Sequence, residues 1–168
     1  IIIFVGRLNS SKGYDLFGNA VLNILNKYPN WSSIVIGDEP REKIIFNHKR
    51  FRVLGFKKNN IVTEWFKKAQ ISVTCSRINE PFGRTALEAS STGCAVIISN
   101  KGGLPEASPN AIKLKILTIK NLQNKIEKLI KNEKFKNSLQ KKIYNSFFLT
   151  NKLISKKIDD YRFKLFKD

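Results

Sequence analysis

A loop that contains glycine at both ends and two cations follows the first apolar run of the chain. It reads Gly6-Arg7-Leu8-Asn9-Ser10-Ser11-Lys12-Gly13 and leads into a segment with helical spacing. Arg7 and Lys12 bring two positive charges beside a helix N-terminus, where backbone N–H groups favour an anion. The pattern suits a diphosphate, although it matches neither the Walker A nor the GxGxxG motif. On these residues alone, a solvated surface loop is the alternative.

Two glutamates, Glu80 and Glu88, stand near the predicted start of a later helix. Helical rise places their carboxylates roughly 10 Å apart, which is too far to share one proton or one metal ion. They are therefore suited to contact different parts of an extended ligand. The structural alternative is that Glu80 caps the helix and Glu88 pairs with a nearby lysine.

The segment between these glutamates favours a backbone anion site. Pro81 suits the first turn of a helix because it lacks an N–H group, so we expect a helix from about Phe82 to Thr92. Gly83 in that first turn costs roughly 1 kcal/mol of helix propensity, which is consistent with a ligand that approaches the backbone closely. The amides of Gly83, Arg84 and Thr85 would then face the same anion as the cations of the first loop.

Apolar runs rich in Ile and Val must position these loops. They lack strict alternation, which is typical of strands buried on both faces of a parallel sheet, and helical segments separate them. From residue 122 onward the spacing indicates about three helices, each with one buried face. The sequence therefore predicts an α/β fold, a single doubly wound Rossmann-like domain over residues 1–168, with about six parallel strands, helices on both faces and C-terminal helices. The predicted strands are 1–5, 31–36, 51–54, 71–75, 95–99 and 112–117.

Length and composition limit the class of protein. The 168 residues, 42% of them apolar, suffice for one compact domain with a sizeable core. No apolar run approaches the roughly 20 residues needed to cross a bilayer. Cys75 and Cys94 lie in or beside apolar runs without CxxC spacing, so we interpret them as core residues of a protein from a reducing compartment. Because methionine is absent and the chain opens on a strand-like run, we expect part of a longer protein.

The net charge of +18 first suggests a nucleic-acid partner. However, 24 of the 31 basic residues are Lys and 7 are Arg, and Lys, Ile and Asn share A/T-rich codons, so coding bias explains much of the excess. Residues 113–168 hold 16 basic and 5 acidic side chains. The sequence has no RNP-type aromatic pair, no zinc-finger spacing and no basic heptad. We therefore interpret the basic residues as a solvated helical surface in preference to a contact with an anionic membrane, and we favour either over nucleic-acid binding.

Six short motifs follow one another along the chain, which are FVGRL with the following KG, IGDEP at 36–40, RVLGF at 52–56, EPFGRTALEA at 80–89, TGCAVIIS at 92–99 and GGLPE at 102–106. In this order they resemble glycosyltransferase family 4, specifically its C-terminal, nucleotide-sugar-binding half, which adopts the GT-B fold. The resemblance is collinear over about residues 1–110, and the E-x7-E element is its most specific part. Two departures are Cys94, where the family usually has proline, and the sequence ASPNAIK at 107–113, where the family has a segment rich in glycine and proline.

The resemblance implies a role for each site residue. Arg7 and Lys12 would hold the donor diphosphate, and the amides after Gly83 would complete its cradle. Glu88 would accept hydrogen bonds from the ribose hydroxyls. Glu80 would be the catalytic residue, which orients the donor sugar and stabilises positive charge at the anomeric carbon in a retaining transfer. The base would lie near Phe56 and Lys57, and the full donor-binding set is Gly6, Arg7, Lys12, Phe56, Lys57, Phe82, Gly83, Arg84, Thr85 and Glu88.

We therefore expect the donor-binding half of a retaining, metal-independent glycosyltransferase that moves a hexose from a nucleotide-sugar, most readily a UDP-sugar, to a glycan or lipid-linked acceptor. No DxD motif occurs, and Asp159-Asp160 lies in the terminal helices, so we expect no metal and no cofactor. The expected partners are the donor, the N-terminal acceptor-binding half that this chain lacks, and an anionic membrane as a peripheral contact, with no nucleic acid. The expected location is cytoplasmic, and this chain alone should bind the donor without transferring sugar.

Two alternatives remain open at this point. A GT-B-fold nucleotide-sugar epimerase would need histidine and carboxylate groups, whereas the single histidine, His48, lies among polar residues away from every motif and is expected at the surface. A nonenzymatic basic module could instead bind RNA or an anionic membrane through residues 113–168. Salt dependence separates that module from a specific nucleotide complex, because polyanion binding falls steeply with ionic strength.

Overall fold

The computed structural model describes residues 1–147 and 150–166. Within them, six strands form one sheet in which every neighbouring pair is parallel. The strands are β1 (Ile2–Val5), β2 (Ser33–Ile36), β3 (Phe51–Val53), β4 (Ile71–Thr74), β5 (Ala95–Ser99) and β6 (Ile112–Leu114). Their order across the sheet is β3-β2-β1-β4-β5-β6. This order confirms the doubly wound α/β fold.

Helices cover both faces of the sheet. One face carries α1 (Tyr14–Lys27) and α5 (Ile119–Lys131), and the other carries α2 (Asn59–Lys68), α3 (Arg84–Ser91) and α6 (Glu133–Asn145). A short helix, α4 (Leu104–Ala107), precedes β6, and α7 (Asn151–Leu165) follows α6. Three helices therefore follow the last strand, as the sequence predicted.

Two apolar cores lie on opposite sides of the sheet, because successive side chains of a strand point to opposite faces. In β1, Ile2 and Phe4 belong to the core beneath α1 and α5, whereas Ile3 belongs to the other core. Cys75 and Cys94 are buried, one in each core, and burial raises their pKa values to about 12 and about 11. Both side chains are 0% exposed, which confirms their interpretation as core residues.

The predicted strand boundaries differ most at β2 and β6. β2 begins at Ser33 instead of residue 31, and β6 ends at Leu114 instead of residue 117. After β6 the chain turns toward α5, whose N-cap Thr118 accepts a hydrogen bond from the backbone of Asn121. Ile116 lies in that turn with 66% of its surface exposed, so its apolar character misled the prediction. The other strands agree within one residue.

The predicted start of α3 is also wrong. The helix begins at Arg84, so Phe82, Gly83 and the first-turn role of Pro81 fall outside it. Gly83 is the N-cap residue with φ +95°, a left-handed conformation that cannot continue a right-handed helix. As a result, Glu88 lies about one turn inside α3 rather than two.

The buried face predicted for the last helix is not found among the residues of α7 that the structure describes. Ile154, Ile158, Tyr161 and Leu165 share one side of α7 by their helical spacing, and all four are exposed. The reason lies in the sheet, whose two faces are already covered by the preceding helices. Among the described residues, no helix is both long and apolar enough to cross a membrane.

Candidate donor site

A cavity of about 290 Å³ opens at the carboxyl ends of β1 and β4. The strand order reverses between these two strands, and open α/β sheets bind ligands at such a switch point. Seven predicted site residues line it, which are Gly6, Lys12, Glu80, Phe82, Gly83, Arg84 and Thr85. The fold thus brings together two motifs that are about 70 residues apart in the chain.

A second cavity of about 320 Å³ adjoins the first, since Val5 and Gly6 line both. Three further predicted residues, Arg7, Phe56 and Lys57, line this second cavity. Arg7 therefore lies on the side predicted for the base, and Lys12 lies on the side predicted for the sugar. The single cradle predicted for both cations is divided between two adjoining cavities, so a ligand that meets both must span them.

Lys12 and Glu80 form an ion pair in the first cavity. The Lys12 Nζ atom lies 2.6 Å from Glu80 Oε1, and their side chains are 21% and 13% exposed. Lys12 ends a 3-10 turn, where its backbone N–H donates to the side chain of the N-cap residue Asn9 at 3.0 Å. A cation and an anion thus stand side by side, and a sugar phosphate could meet both.

Two side chains hold the first loop in place from one side. The Ser10 amide and hydroxyl both donate to the Glu42 carboxylate, and the amide reaches the two carboxylate oxygens at 3.1 and 3.2 Å. Asn9 Nδ2 donates to the Glu39 carboxylate at 3.1 Å. The segment after β2 therefore fixes the backbone that carries Lys12.

Arg77 holds the same loop from the other side. Its backbone N–H donates to the Ser11 carbonyl at 2.8 Å, and its guanidinium donates to both Asp15 carboxylate oxygens at 2.5 and 2.7 Å. This pair keeps the pKa of Asp15 below its usual value. Neither Glu42 nor Arg77 was predicted from the sequence, because they lie 32 and 62 residues from their partners and no local pattern marks them.

The N-terminus of α3 closes the first cavity. The amides of Arg84 and Thr85 lie in the first turn, where a helix offers no backbone acceptor. Since both residues and Gly83 line the cavity, the helix dipole and these amides favour a negative charge inside it. The helix starts two residues later than predicted, and the anion site at its first turn stays a prediction.

Glu88 lies near this site but lines neither of the two cavities. Its side chain is 28% exposed, and Arg84 Nη2 lies 3.8 Å from its Oε1 atom. Burial raises the pKa of the Glu88 carboxyl, and the charge of Arg84 partly opposes that change. The partner is therefore an arginine of the same helix rather than a lysine, and the ribose role of Glu88 stays a prediction.

His48 lies shortly before β3 and is half-buried rather than fully at the surface. Its Nδ1 atom accepts a hydrogen bond from the backbone N–H of Arg50 at 3.0 Å. The residue lines neither cavity. Across the described part of the chain, no three His, Cys, Asp or Glu side chains are grouped as metal ligands.

Comparison with known proteins gives this geometry a family. The chain is 31% identical over 137 residues to one of the subunits of human phosphatidylinositol N-acetylglucosaminyltransferase, covering 77% of this chain and 28% of that protein. The crystal structure of the C-terminal domain of a glycosyl transferase group 1 family protein, LpcC from Francisella tularensis, superposes with a TM-score of 0.73 at 26% identity, covering 86% and 82% of the two chains.

A second solved structure shares the fold at lower identity. The pneumococcal O-GlcNAc transferase GtfA, in complex with UDP and GlcNAc, gives a TM-score of 0.79 at 19% identity, over 98% of this chain and 35% of that one. The family model described as glycosyl transferases group 1 matches residues 1–146. That match takes in every strand and every residue of the two cavities, so the chain belongs to the group 1 family of glycosyl transferases.

Proposed function

We propose that this chain binds the nucleotide-sugar donor, a UDP-sugar, in a retaining, metal-independent glycosyltransferase. The main observation that supports this proposal is the Lys12–Glu80 ion pair, which lies in a cavity at the switch point of the sheet. The Lys12 ammonium and the α3 amides suit phosphate oxygens, and the Glu80 carboxylate suits sugar hydroxyls. Membership of the family supports this assignment, as does a fold shared with a transferase solved with UDP and GlcNAc.

The proposed mechanism uses fixed charges. The bond between the anomeric carbon and the diphosphate oxygen breaks while an acceptor oxygen bonds to that carbon. The departing nucleoside diphosphate gains negative charge in this step, so Lys12 and the α3 amides stabilise it most in the transition state. Glu80 acts on the opposite charge, because its carboxylate stabilises an anomeric carbon that is becoming positive. Glu42 and Arg77 hold the loop of Lys12 beforehand, which lowers the cost of reorganisation during the reaction.

The acceptor is proposed to be a glycan or a lipid-linked sugar, bound by a further domain. The human relative is named for transfer of N-acetylglucosamine to phosphatidylinositol, which supports a lipid-linked acceptor here. The chain spans only 28% of that relative. The acceptor site is therefore assigned to residues outside this chain, and we expect donor binding without sugar transfer when the chain is alone.

Titration with nucleotides tests the proposed function. Binding of UDP or a UDP-sugar should raise the unfolding temperature by mass action.

Glu88→Ala should weaken the binding of UDP and of a UDP-sugar alike, by about 10- to 100-fold, because ribose hydroxyls donate to a charged acceptor equally in both ligands. Calorimetry on the complete protein measures both affinities, and Glu133→Ala on the exposed face of α6 is the control.

The outcomes separate the candidate functions. A stabilising shift that is largest with UDP or a UDP-sugar and is retained at high salt supports the proposed donor site, whereas a larger shift with a GDP- or ADP-sugar would show that the assignment of UDP is wrong. No shift with UDP-, GDP- or ADP-sugars would overturn the proposal. Binding that is equal for RNA and nucleotides and lost steeply with salt would favour the nonenzymatic basic module instead.

We also propose that α7 contacts an anionic membrane at its cytoplasmic face. Ile154, Ile158, Tyr161 and Leu165 form an exposed apolar stripe on this helix, and Arg162 and Lys164 lie beside it by their helical spacing. An apolar stripe with cationic flanks suits the interface of anionic lipids. The cationic side chains and the apolar stripe together favour an anionic membrane over a neutral membrane.

Vesicle binding tests the membrane contact. Ile158→Glu should lower binding of the complete protein to phosphatidylserine-containing vesicles by about tenfold, since it places a charge in the apolar stripe. Ile45→Glu is the control, because Ile45 is also exposed, at 83%, and lies outside α7. The substitution introduces the same negative charge at a position away from the apolar stripe. Equal losses in both variants, or equal binding to neutral phosphatidylcholine vesicles, would contradict the proposal.

A further inference from the structure

Two glycines of the GGLPE segment lie directly against the backbone that carries Glu80. The Gly103 N–H donates to the Glu80 carbonyl oxygen at 2.7 Å. A Cβ atom added at Gly102 would lie 2.3 Å from that same oxygen and 2.6 Å from the Glu80 nitrogen. Because backbone cannot move aside as a side-chain tip can, only glycine permits this approach at position 102.

The contact continues along the next residues of the Glu80 segment. A Cβ atom added at Gly103 would lie 2.6 Å from the Pro81 carbonyl oxygen and 2.6 Å from Phe82 Cα. One residue further, the fully buried Leu104 packs against Gly83, where an added Cβ would lie 2.7 Å from Leu104 Cδ2. The GGL part of the motif therefore supports the whole stretch from Glu80 to Gly83.

This support matters because Glu80 has little regular structure around it. Residues 75–83 lie between β4 and α3 and belong to neither. The Glu80 carbonyl is bound by Gly103, and its carboxylate is bound by Lys12 at 2.6 Å. Lys12 belongs to the proposed phosphate site, so the Gly103 contact is the anchor that does not depend on the ligand.

We propose that Gly102 and Gly103 are positioning residues for Glu80. They fix the position of the Glu80 carboxylate in the first cavity and hence its distance from the donor sugar. This inference rests on the proposed function, in which Glu80 acts on the anomeric carbon. A misplacement of about 1 Å at such a group can cost about 100-fold in rate, so a backbone contact of this kind can control turnover.

Gly102→Ala in the complete protein is the first test. We expect kcat to fall at least tenfold, with the KM for the donor and the UDP affinity changed by less than about threefold, because Lys12 and the α3 amides keep their places. Gly93→Ala is the matched control. Both glycines have positive φ, +53° and +82°, but a Cβ at Gly93 meets nothing closer than 3.9 Å. The control shares the backbone strain without the contact to Glu80 and should keep its kcat.

A double-mutant cycle distinguishes positioning from general destabilisation. If Gly102 acts through Glu80, Gly102→Ala should cause almost no further loss of kcat in a Glu80→Gln background. Additive losses would overturn the inference and assign a purely structural role. If Gly102→Ala fails to fold, Leu104→Val is a milder change beneath Gly83. It should lower kcat by about threefold, and it should cause almost no further loss in a Glu80→Gln background.

The cycle also separates this inference from the proposed function. If Glu80→Gln lowers kcat while Gly102→Ala leaves it unchanged, the positioning role is wrong and the function of Glu80 stands. If Glu80→Gln itself leaves kcat unchanged, the catalytic role proposed for Glu80 is wrong, whereas donor binding is tested separately by the nucleotide titration. In that case an effect of Gly102→Ala would no longer be evidence for positioning.

Discussion

Glu80→Gln should lower kcat in the complete protein by about 100- to 1000-fold, the range for loss of one preorganised electrostatic group. The affinity for UDP should change by less than about threefold, which is under roughly 1 kcal/mol. The two effects differ because, in the proposed mechanism, the carboxylate acts on an anomeric carbon of the donor sugar that becomes positive only as the bond breaks, whereas UDP lacks that sugar. Glutamine keeps one oxygen as an acceptor for Lys12, removes the negative charge and replaces the second oxygen with an NH2 donor.

Steady-state kinetics of sugar transfer and calorimetric titration with UDP measure these two effects. Glu106→Gln is the control, because Glu106 is exposed in the same GGLPE motif and lines neither cavity. It should leave kcat unchanged. If Glu80→Gln abolishes UDP binding while turnover at saturating donor is unchanged, Glu80 is a nucleotide ligand or a structural residue.

The sequence predicted which loops line the first cavity because parallel strands impose a simple rule. Their carboxyl ends meet at one edge of the sheet, so the loops after residues 5 and 74 had to converge. The first loop and the Glu80 segment do line one cavity. The sequence did not predict that Arg7 and Lys12 line different cavities. It also did not show that Gly37 lies directly against the first loop, where an added Cβ would be 1.9 Å from the Gly6 carbonyl oxygen.

Local rules failed where a distant contact competes with them. Pro81 and the residues after it predicted an earlier start of α3, but Gly102 and Gly103 pack against this stretch and hold it outside the helix. The partners of the first loop, Glu42 and Arg77, were missed for the same reason. In α7, helical spacing gave the helix correctly but could not show whether another element covers its apolar stripe.

Lys12→Ala should weaken UDP binding by about 1.5 to 3 kcal/mol, the range for hydrogen bonds to charged groups, or about 10- to 150-fold. Uridine, which lacks phosphates, should lose less than about threefold. Lys134→Ala on α6 is a control for the change in net charge. Equal losses for UDP and uridine would show that Lys12 acts on folding or on the base.

Arg7→Ala measures how far the diphosphate extends. Arg7 lines the second cavity, whereas Lys12 lines the first. If the diphosphate spans both, Arg7→Ala should weaken UDP within the same range of about 1.5 to 3 kcal/mol. A loss of similar size for uridine would instead place Arg7 against the nucleoside.

The Lys12 variant has a second consequence, because removing the ammonium leaves the Glu80 carboxylate without its partner in the first cavity. That carboxylate would then repel the diphosphate, so part of the lost UDP affinity is electrostatic repulsion rather than a missing contact. The double variant Lys12→Ala with Glu80→Gln should therefore bind UDP more tightly than Lys12→Ala alone, by several-fold. If the second substitution restores nothing, the diphosphate does not come near Glu80. The sugar would then lie elsewhere, and the arrangement proposed for the donor would be wrong.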